Sequence, residues 1–347
     1  MSSSMRYGPP SLPIGRRFVY YMASDPAKNL LTSSDDTSES TVGFPPSSEG
    51  SFWWRVGGVV WMLRPHQWIK NVFVLAPVVF AKEIFDPSLL VKAASAFAIF
   101  CAIAGAVYAL NDLGDVDADQ LHPVKRYRPI ASGRVPKAWV WPIICILVAG
   151  GLLVGAFINP WFAGVLLAYF VQNIAYTKKL KHVAYVDVGC ISLGFVLRVL
   201  AGGFATGISI SSYLVLCTAL LALFLGFGKR RHELAAAERT GKQRIALESY
   251  RRSGLDVALA LTAVATVCTY LAYTLNRHTR EFFHTDWLWT STIFVVLSLA
   301  RFLVIVRSRP KAESPTQEML RDGPFVAIIM GWVVMVVWVV YQLAPAH

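Results

Sequence analysis

Residues 88–119 read SLLVKAASAFAIFCAIAGAVYAL and then, without a break, NDLGDVDAD. The first part is an apolar run of the length that crosses a bilayer as a helix, about 20 residues. The second part sets Asn111, Asp112, Asp115, Asp117 and Asp119 at its end. A membrane span that delivers acids to one face of the bilayer is the pattern from which the rest of the chain is read.

Comparable apolar stretches occupy 57–80, 88–110, 137–157, 160–176, 184–206, 211–227, 255–276, 285–306 and 323–343. They predict an all-α polytopic membrane protein with nine transmembrane helices, because a helix satisfies the backbone of such runs in lipid. Composition agrees. Of 347 residues 55% are hydrophobic and 16% charged, against roughly 25% charged in soluble domains. A soluble globular domain, a chain disordered throughout and a disulfide-stapled secreted module are excluded. Cys101, Cys145, Cys190, Cys217 and Cys268 lie in apolar runs without CxxC spacing and read as small core residues. Residues 1–52, rich in Ser and Pro, read as a disordered cytoplasmic tail before a single membrane domain over 53–347.

The formal net charge is +12, and the bases are unevenly placed. Five follow the second span, three the fourth, eight the sixth and four the eighth, whereas the opposite loops hold Lys82, Arg277 and Arg280. Basic loops mark the cytoplasmic side. The expected topology therefore has a cytoplasmic N-terminus, a C-terminus on the other side, and a working face toward the cytoplasm in the plasma membrane. The excess base also suits an anionic substrate. The lipid bilayer is an expected partner and nucleic acid is not.

Topology does not explain the acids. At about 100° per residue, Asn111, Asp112, Asp115 and Asp119 fall on one face of a helix and Asp117 on the other. Carboxylates so grouped at membrane depth call for a cation. Hard oxygen donors suit Mg²⁺, which keeps phosphates and waters as its other ligands. The next segment, His122-Pro123-Val-Lys125-Arg126-Tyr-Arg128-Pro129-Ile-Ala-Ser132-Gly133, supplies phosphate donors in a stiffened loop. Acids that hold a metal beside bases that hold phosphates compose a diphosphate site.

Those two segments together resemble the first signature of the UbiA superfamily of intramembrane prenyltransferases, and the resemblance runs from about Trp61 to the end of the chain. It implies a nine-helix UbiA-like bundle and leaves a homo-oligomer open. Aromatic prenyltransferases of that superfamily carry a second acidic motif after the sixth helix. Here the position reads Gly226-Phe-Gly228-Lys229-Arg230-Arg231-His232-Glu233, so bases stand where acids are expected. With Arg64-Pro65-x-Gln67-Trp68-x-Lys70-Asn71, Tyr176-x-x-x-Leu180-Lys181 and Arg198, the chain is similar to the branch that moves 5-phosphoribose from 5-phosphoribosyl 1-diphosphate to a polyprenyl phosphate. That branch uses decaprenyl phosphate on the way to decaprenylphosphoryl arabinose and cell-envelope polysaccharide.

The resemblance assigns roles. Asn111 and Asp115 hold Mg²⁺, with Asp119 and Asp112 completing or orienting the shell. Lys70, Tyr108, Lys125, Arg126 and Arg128 bind phosphate oxygens, and Lys181, Arg198, Lys229 and Arg230 take the other anionic groups. The lipid phosphate is already ionised, so catalysis rests on positioning and charge stabilisation, with Asp115, Asn111 and Lys125 at its centre. Two other readings are weighed. An aromatic prenyltransferase acting on 4-hydroxybenzoate or another quinone or haem precursor lacks its second acidic cluster here. A transporter of anionic lipids has no use for a one-faced acidic cluster, and no inverted repeat is visible. His66, His122 and His182 lack metal-ligand spacing and read as hydrogen-bonding residues, and Arg301 reads as snorkelling toward its helix end.

Overall fold

The computed structural model describes residues 51–240, 250–308, 318–319 and 321–342. The tail expected over 1–52 lies outside the described residues except for Ser51 and Phe52. Among the described residues all regular structure is helical. The principal helices are α1 (Phe52–Met62), α2 (Pro87–Gly114), α3 (Lys137–Ile158), α4 (Pro160–Lys178), α5 (Val186–Thr206), α6 (Ser212–Thr240), α7 (Arg252–Leu275), α8 (Thr292–Ser308) and α9 (Gly323–Val337).

Among the described residues seven helical stretches are long and apolar enough to cross a membrane, those built on α2, α3, α5, α6, α7, α8 and α9. The chain is a multi-pass membrane protein. The expected count of nine separates into these seven and two special cases. α4 has 19 residues but carries Gln172, Asn173, Thr177 and Lys178 in its last turns and is not among the seven. The first span, expected over 57–80, is not one helix. Leu63 ends α1, and Arg64 adopts a left-handed conformation at φ 52°. Residues Pro65–Leu75 then wind as a 3₁₀ helix before a short α-turn at Ala76–Phe80. The residue before a proline is disfavoured in the α region, so Arg64-Pro65 is where the run breaks. The 3₁₀ segment is called the strap below.

Local sequence accounts for the other boundaries. Asp86 caps α2 by accepting from the amides of Ser88 and Leu89, with Pro87 in the first turn. Asn159 is extended and caps α4 by accepting from the amide of Trp161, which lets a single residue separate α3 from α4. Asp322 caps α9 and receives a two-nitrogen fork from Arg301, at 2.9 Å for both bonds. Arg301 thus ties α8 to the start of α9 rather than snorkelling free.

Consecutive helices from α2 to α7 pack side by side, and the strap packs on both α2 and α5. α2 is lined with small buried residues, among them Ala93, Ala96, Ala104, Gly105 and Ala106, which permit close helix approach. One core gathers Phe100, Ile103, Phe162, Leu166 and Val74 between α2, α4, α5 and the strap. A second gathers Phe224, Leu255, Leu259, Phe302 and Phe325 between α6, α7, α8 and α9. α2 and α5 are the most enclosed helices and α3 the most exposed. Asp112 on α2 and Asp187, Ser192 and Arg198 on α5 are accordingly buried in protein.

Candidate active site

α2 ends at Gly114, and Asp115 breaks the helix at φ −101° and ψ 6° before the short helix Val116–Gln120. The single helical face expected for Asn111, Asp112, Asp115 and Asp119 is thereby divided. Asp112 is buried and accepts from Arg64 Nη2 at 2.5 Å and from Arg128 Nη1 at 3.1 Å. Asp119, also buried, accepts from the same Arg128 nitrogen at 2.7 Å. The guanidinium of Arg128 lies between two carboxylates, so Asp112 and Asp119 share its charge. Among the described residues no three His, Cys, Asp or Glu side chains converge as a metal cluster.

The oxygens that remain are those of Asn111 and Asp115, one helical turn apart and hence on one side. Asn111 Oδ1 accepts from the Thr177 hydroxyl of α4 at 2.8 Å, leaving a second lone pair. Asp115 is exposed. An amide and a carboxylate at the negative end of a helix dipole fit a hard divalent cation that draws its other ligands from phosphate and water. Asp117 points away, 98% exposed and 3.9 Å from Lys137.

Arg64 and Arg128 meet the acids at this end of α2. Arg64 also stacks over the Tyr108 ring at 5.1 Å. Its left-handed backbone costs on the order of 1–3 kcal/mol, which its pairing with Asp112 helps to offset. Lys70, on the strap, is accessible yet hemmed in by protein and lies in the fields of Lys229, Arg198 and Arg64. His122 Nδ1 accepts from the amides of Val124 and Lys125, which shapes the loop that carries Lys125. Arg126 is exposed and turned onto its neighbour Tyr127, 2.7 Å from the hydroxyl, so it stands apart from the acids. Lys181 is half-buried in the turn after α4. Arg198 is buried within α5, with all three nitrogens bonded to protein groups.

A second polar cluster lies where α5 begins. Asp187 is fully buried, its Oδ2 2.6 Å from Arg230 Nε. Arg230 also pairs with Glu233, and Lys229 Nζ stands 3.9 Å from Glu233. Asp187 Oδ1 accepts from the Tyr250 hydroxyl, which in turn accepts from the Tyr185 amide at 2.7 Å. Burial and the bond to Asp187 push the Tyr250 phenol above its ordinary range. The expected open phosphate donor at Arg230 is instead a buried cation joining two carboxylates.

The profile of the UbiA prenyltransferase family matches residues 72–321. The chain belongs to this family. The decaprenyl-phosphate phosphoribosyltransferase of Mycobacterium tuberculosis (strain ATCC 25618 / H37Rv) is 37% identical over 305 residues, 86% of this chain and 97% of that protein. The protein of the same name from Corynebacterium glutamicum is 34% identical over 291 residues, 82% and 87% of the two chains. The solved structure of a UbiA homolog from Archaeoglobus fulgidus bound to GPP and Mg2+ matches with a TM-score of 0.58 at 18% identity, covering 82% of this chain and 99% of that one. That likeness establishes a shared fold.

Within this UbiA-family site, Thr177 and Asp187 were not expected from the sequence, Tyr250 stood in the sixth-loop pattern without a role, and Asn71 was not seen as a partner of Arg198. Asp187 carried a usable signal, an acid one residue into an apolar span. Thr177 carried none, because its partner lies 66 positions away.

Proposed function

We propose that this UbiA-family chain transfers 5-phosphoribose from 5-phosphoribosyl 1-diphosphate to a polyprenyl phosphate, with decaprenyl phosphate as the matching acceptor, and releases diphosphate. The observation that carries the reading is a surplus of cations around one oxygen-donor pair. Two substrates that bring a sugar 5-phosphate, a diphosphate and a lipid phosphate require such a surplus. Relatives that bear this activity in their name match over most of their length.

Asn111 and Asp115, with Asp112 and Asp119 behind them, would hold magnesium, which would supply positive charge for the departing diphosphate. Lys125, Arg128, Tyr108 and Lys70 bind phosphate oxygens, with Arg126 at the loop's outer edge. Lys181 and Lys229 add positive charge for the second substrate. The acceptor phosphate is an anion at neutral pH, so no side chain has to remove a proton. The chain's contribution is alignment and stabilisation of an oxocarbenium-like state as the C1–O bond to diphosphate breaks and the bond to the lipid phosphate forms. An apolar cleft of about 350 Å³ lies along the strap, lined by Val72, Phe73, Val79, Tyr273, Trp332 and Val336. A strap with Lys70 among cations and apolar side chains on a cleft suits an amphiphile with a phosphate head and an isoprenoid tail.

The site faces the cytoplasm of a plasma membrane in this account. Cysteines placed at Lys179 and His278 of a cysteine-free variant are then labelled from opposite faces, and labelling from one face contradicts the orientation. The activity is tested by offering purified protein and Mg²⁺ either 5-phosphoribosyl diphosphate with decaprenyl phosphate or a prenyl diphosphate with 4-hydroxybenzoate. Ribose label in the lipid fraction supports the proposal. Prenylated 4-hydroxybenzoate with no ribosylated lipid overturns it in favour of an aromatic prenyltransferase.

A further inference from the structure

Arg198 lies about 18 Å along α5 at 1.5 Å per residue, deep in the membrane domain and 6% exposed. A guanidinium at that depth is costly. Its Nε donates to Asn71 Oδ1 at 2.9 Å, Nη1 to the Gly194 carbonyl at 2.7 Å and Nη2 to the Tyr169 hydroxyl at 3.0 Å. The rings of Phe100, Tyr169 and Phe195 lie 5.2, 4.9 and 5.4 Å from its central carbon. Every one of these partners is formally neutral.

The bond to Asn71 reaches the strap. Asn71 is 1% exposed and also donates to Cys101 Sγ on α2 at 3.2 Å. Three residues later Val74 presses its carbonyl oxygen on Gly202, so closely that a Cβ built there would stand 1.9 Å away. In a 3₁₀ helix residues i and i+3 eclipse, and in an α-helix i and i+4 share a face. Asn71 and Val74 therefore meet Arg198 and Gly202 as two successive rungs between strap and α5. A 3₁₀ run of 11 residues is far longer than the three or four that usually persist, so these rungs are what hold it. Lys70 precedes Asn71 and turns about 120° from it, toward the cations of the site.

We propose that Arg198 is a positioning residue and not a phosphate ligand: through Asn71 it fastens the Pro65–Leu75 strap to α5 and so holds Lys70 at the anionic substrates. An acid at position 71 would make the same bond but cancel the charge. An amide keeps the positive field of Arg198 available beside Lys70. The identity of the anions rests on the phosphoribosyl-transfer reading, whereas the mechanical role does not.

The test is a double-mutant cycle on the affinity of the full-length, detergent-purified protein for inorganic diphosphate with Mg²⁺, using Arg198→Lys, Lys70→Ala and the double variant. Each single change is expected to weaken binding about tenfold, the low end for a hydrogen bond to a charged group. Because Arg198 acts through Lys70, the double variant is expected to be no more than about threefold worse than the weaker single one. Multiplicative losses, roughly a hundredfold in the double variant, mean independent contact with the anion and overturn the proposal. Tyr169→Phe keeps the ring, removes one of the three bonds and serves the same cycle if Arg198→Lys does not fold. Its effect is expected to vanish in the Lys70→Ala background, and an equal loss in both backgrounds, or none in either, overturns the proposal. A wild type that binds diphosphate but transfers no phosphoribosyl group defeats the functional reading alone, and the cycle still decides the role of Arg198. A wild type without diphosphate affinity defeats the positioning role as well.

Discussion

Replacing Gly202 with alanine puts a methyl group 1.9 Å from the Val74 carbonyl oxygen and 3.2 Å from Pro77 Cδ. Real Cβ atoms essentially never come within 3.0 Å of such an oxygen. The obstacle is backbone, which cannot swing aside as a flexible side chain would. Strap and α5 must separate by about 1.1 Å, and a misplacement of that size can cost about a hundredfold in rate. Overpacking adds a stability loss of roughly 1–3 kcal/mol. Gly202→Ala is therefore expected to lower kcat/KM for phosphoribosyl transfer about a hundredfold and to lower the melting temperature in detergent. No charge is altered, so the loss reports strap position alone. Gly150→Ala is the matched control, because nothing lies within 4 Å of a Cβ there, and wild-type kinetics are expected. Wild-type kinetics in Gly202→Ala, or equal damage in Gly150→Ala, would mean that the contact of strap and α5 at Gly202 does not set the rate.

Asp115→Asn is expected to abolish turnover in a folded protein and to weaken Mn²⁺ binding read by electron paramagnetic resonance, whereas Asp117→Asn should leave both unchanged. Equal damage from the two would mean the metal is not held at Asp115. Arg128→Gln leaves the buried carboxylates of Asp112 and Asp119 short of a shared cation. It should destabilise by about 3 kcal/mol, the low end for breaking a buried pair, since Arg64 still compensates Asp112. Adding Asp119→Asn should recover part of that loss, and chemical denaturation that finds no recovery counts against the pairing. Tyr250 has a raised phenol pKa through burial first and its bond to Asp187 second. The stability it contributes is complete below its unfolded value near 10 and is lost as pH rises through the folded value. Tyr250→Phe should flatten the alkaline limb of the melting curve against pH, and an unchanged limb would argue that the phenol is not responsible.

Much of this was legible in the chain. The helix boundaries followed from local chemistry, such as Asp86-Pro87 opening α2 and Asn159-Pro160 dividing α3 from α4. The juxtaposition of Asp112 with Arg128 was legible because those residues lie within one span end and one short loop. The strap was not, because hydropathy sums over 57–80 cannot register a reversal of backbone hand at Arg64. The helical-face arithmetic for Asp119 failed for a related reason: it ran a single helix through Gly114 and Asp115, where the chain breaks. Charge signs alone also misled at Arg230 and Arg198. Both look like open anion donors in sequence, and both are bound internally by residues that are remote along the chain, Asp187 for the first and Asn71 for the second.

Transfer of the phosphoribosyl group with loss of diphosphate is open to a double-labelling experiment. Purified protein with Mg²⁺ and decaprenyl phosphate is given 5-phosphoribosyl 1-diphosphate labelled either in the 5-phosphate or in the β-phosphate of the diphosphate. The 5-phosphate label is expected to enter the organic phase while β-phosphate label stays in water as inorganic diphosphate, in equal amounts and only when both substrates are present. Label of the second kind in the lipid, or diphosphate release without a labelled lipid, would contradict such transfer.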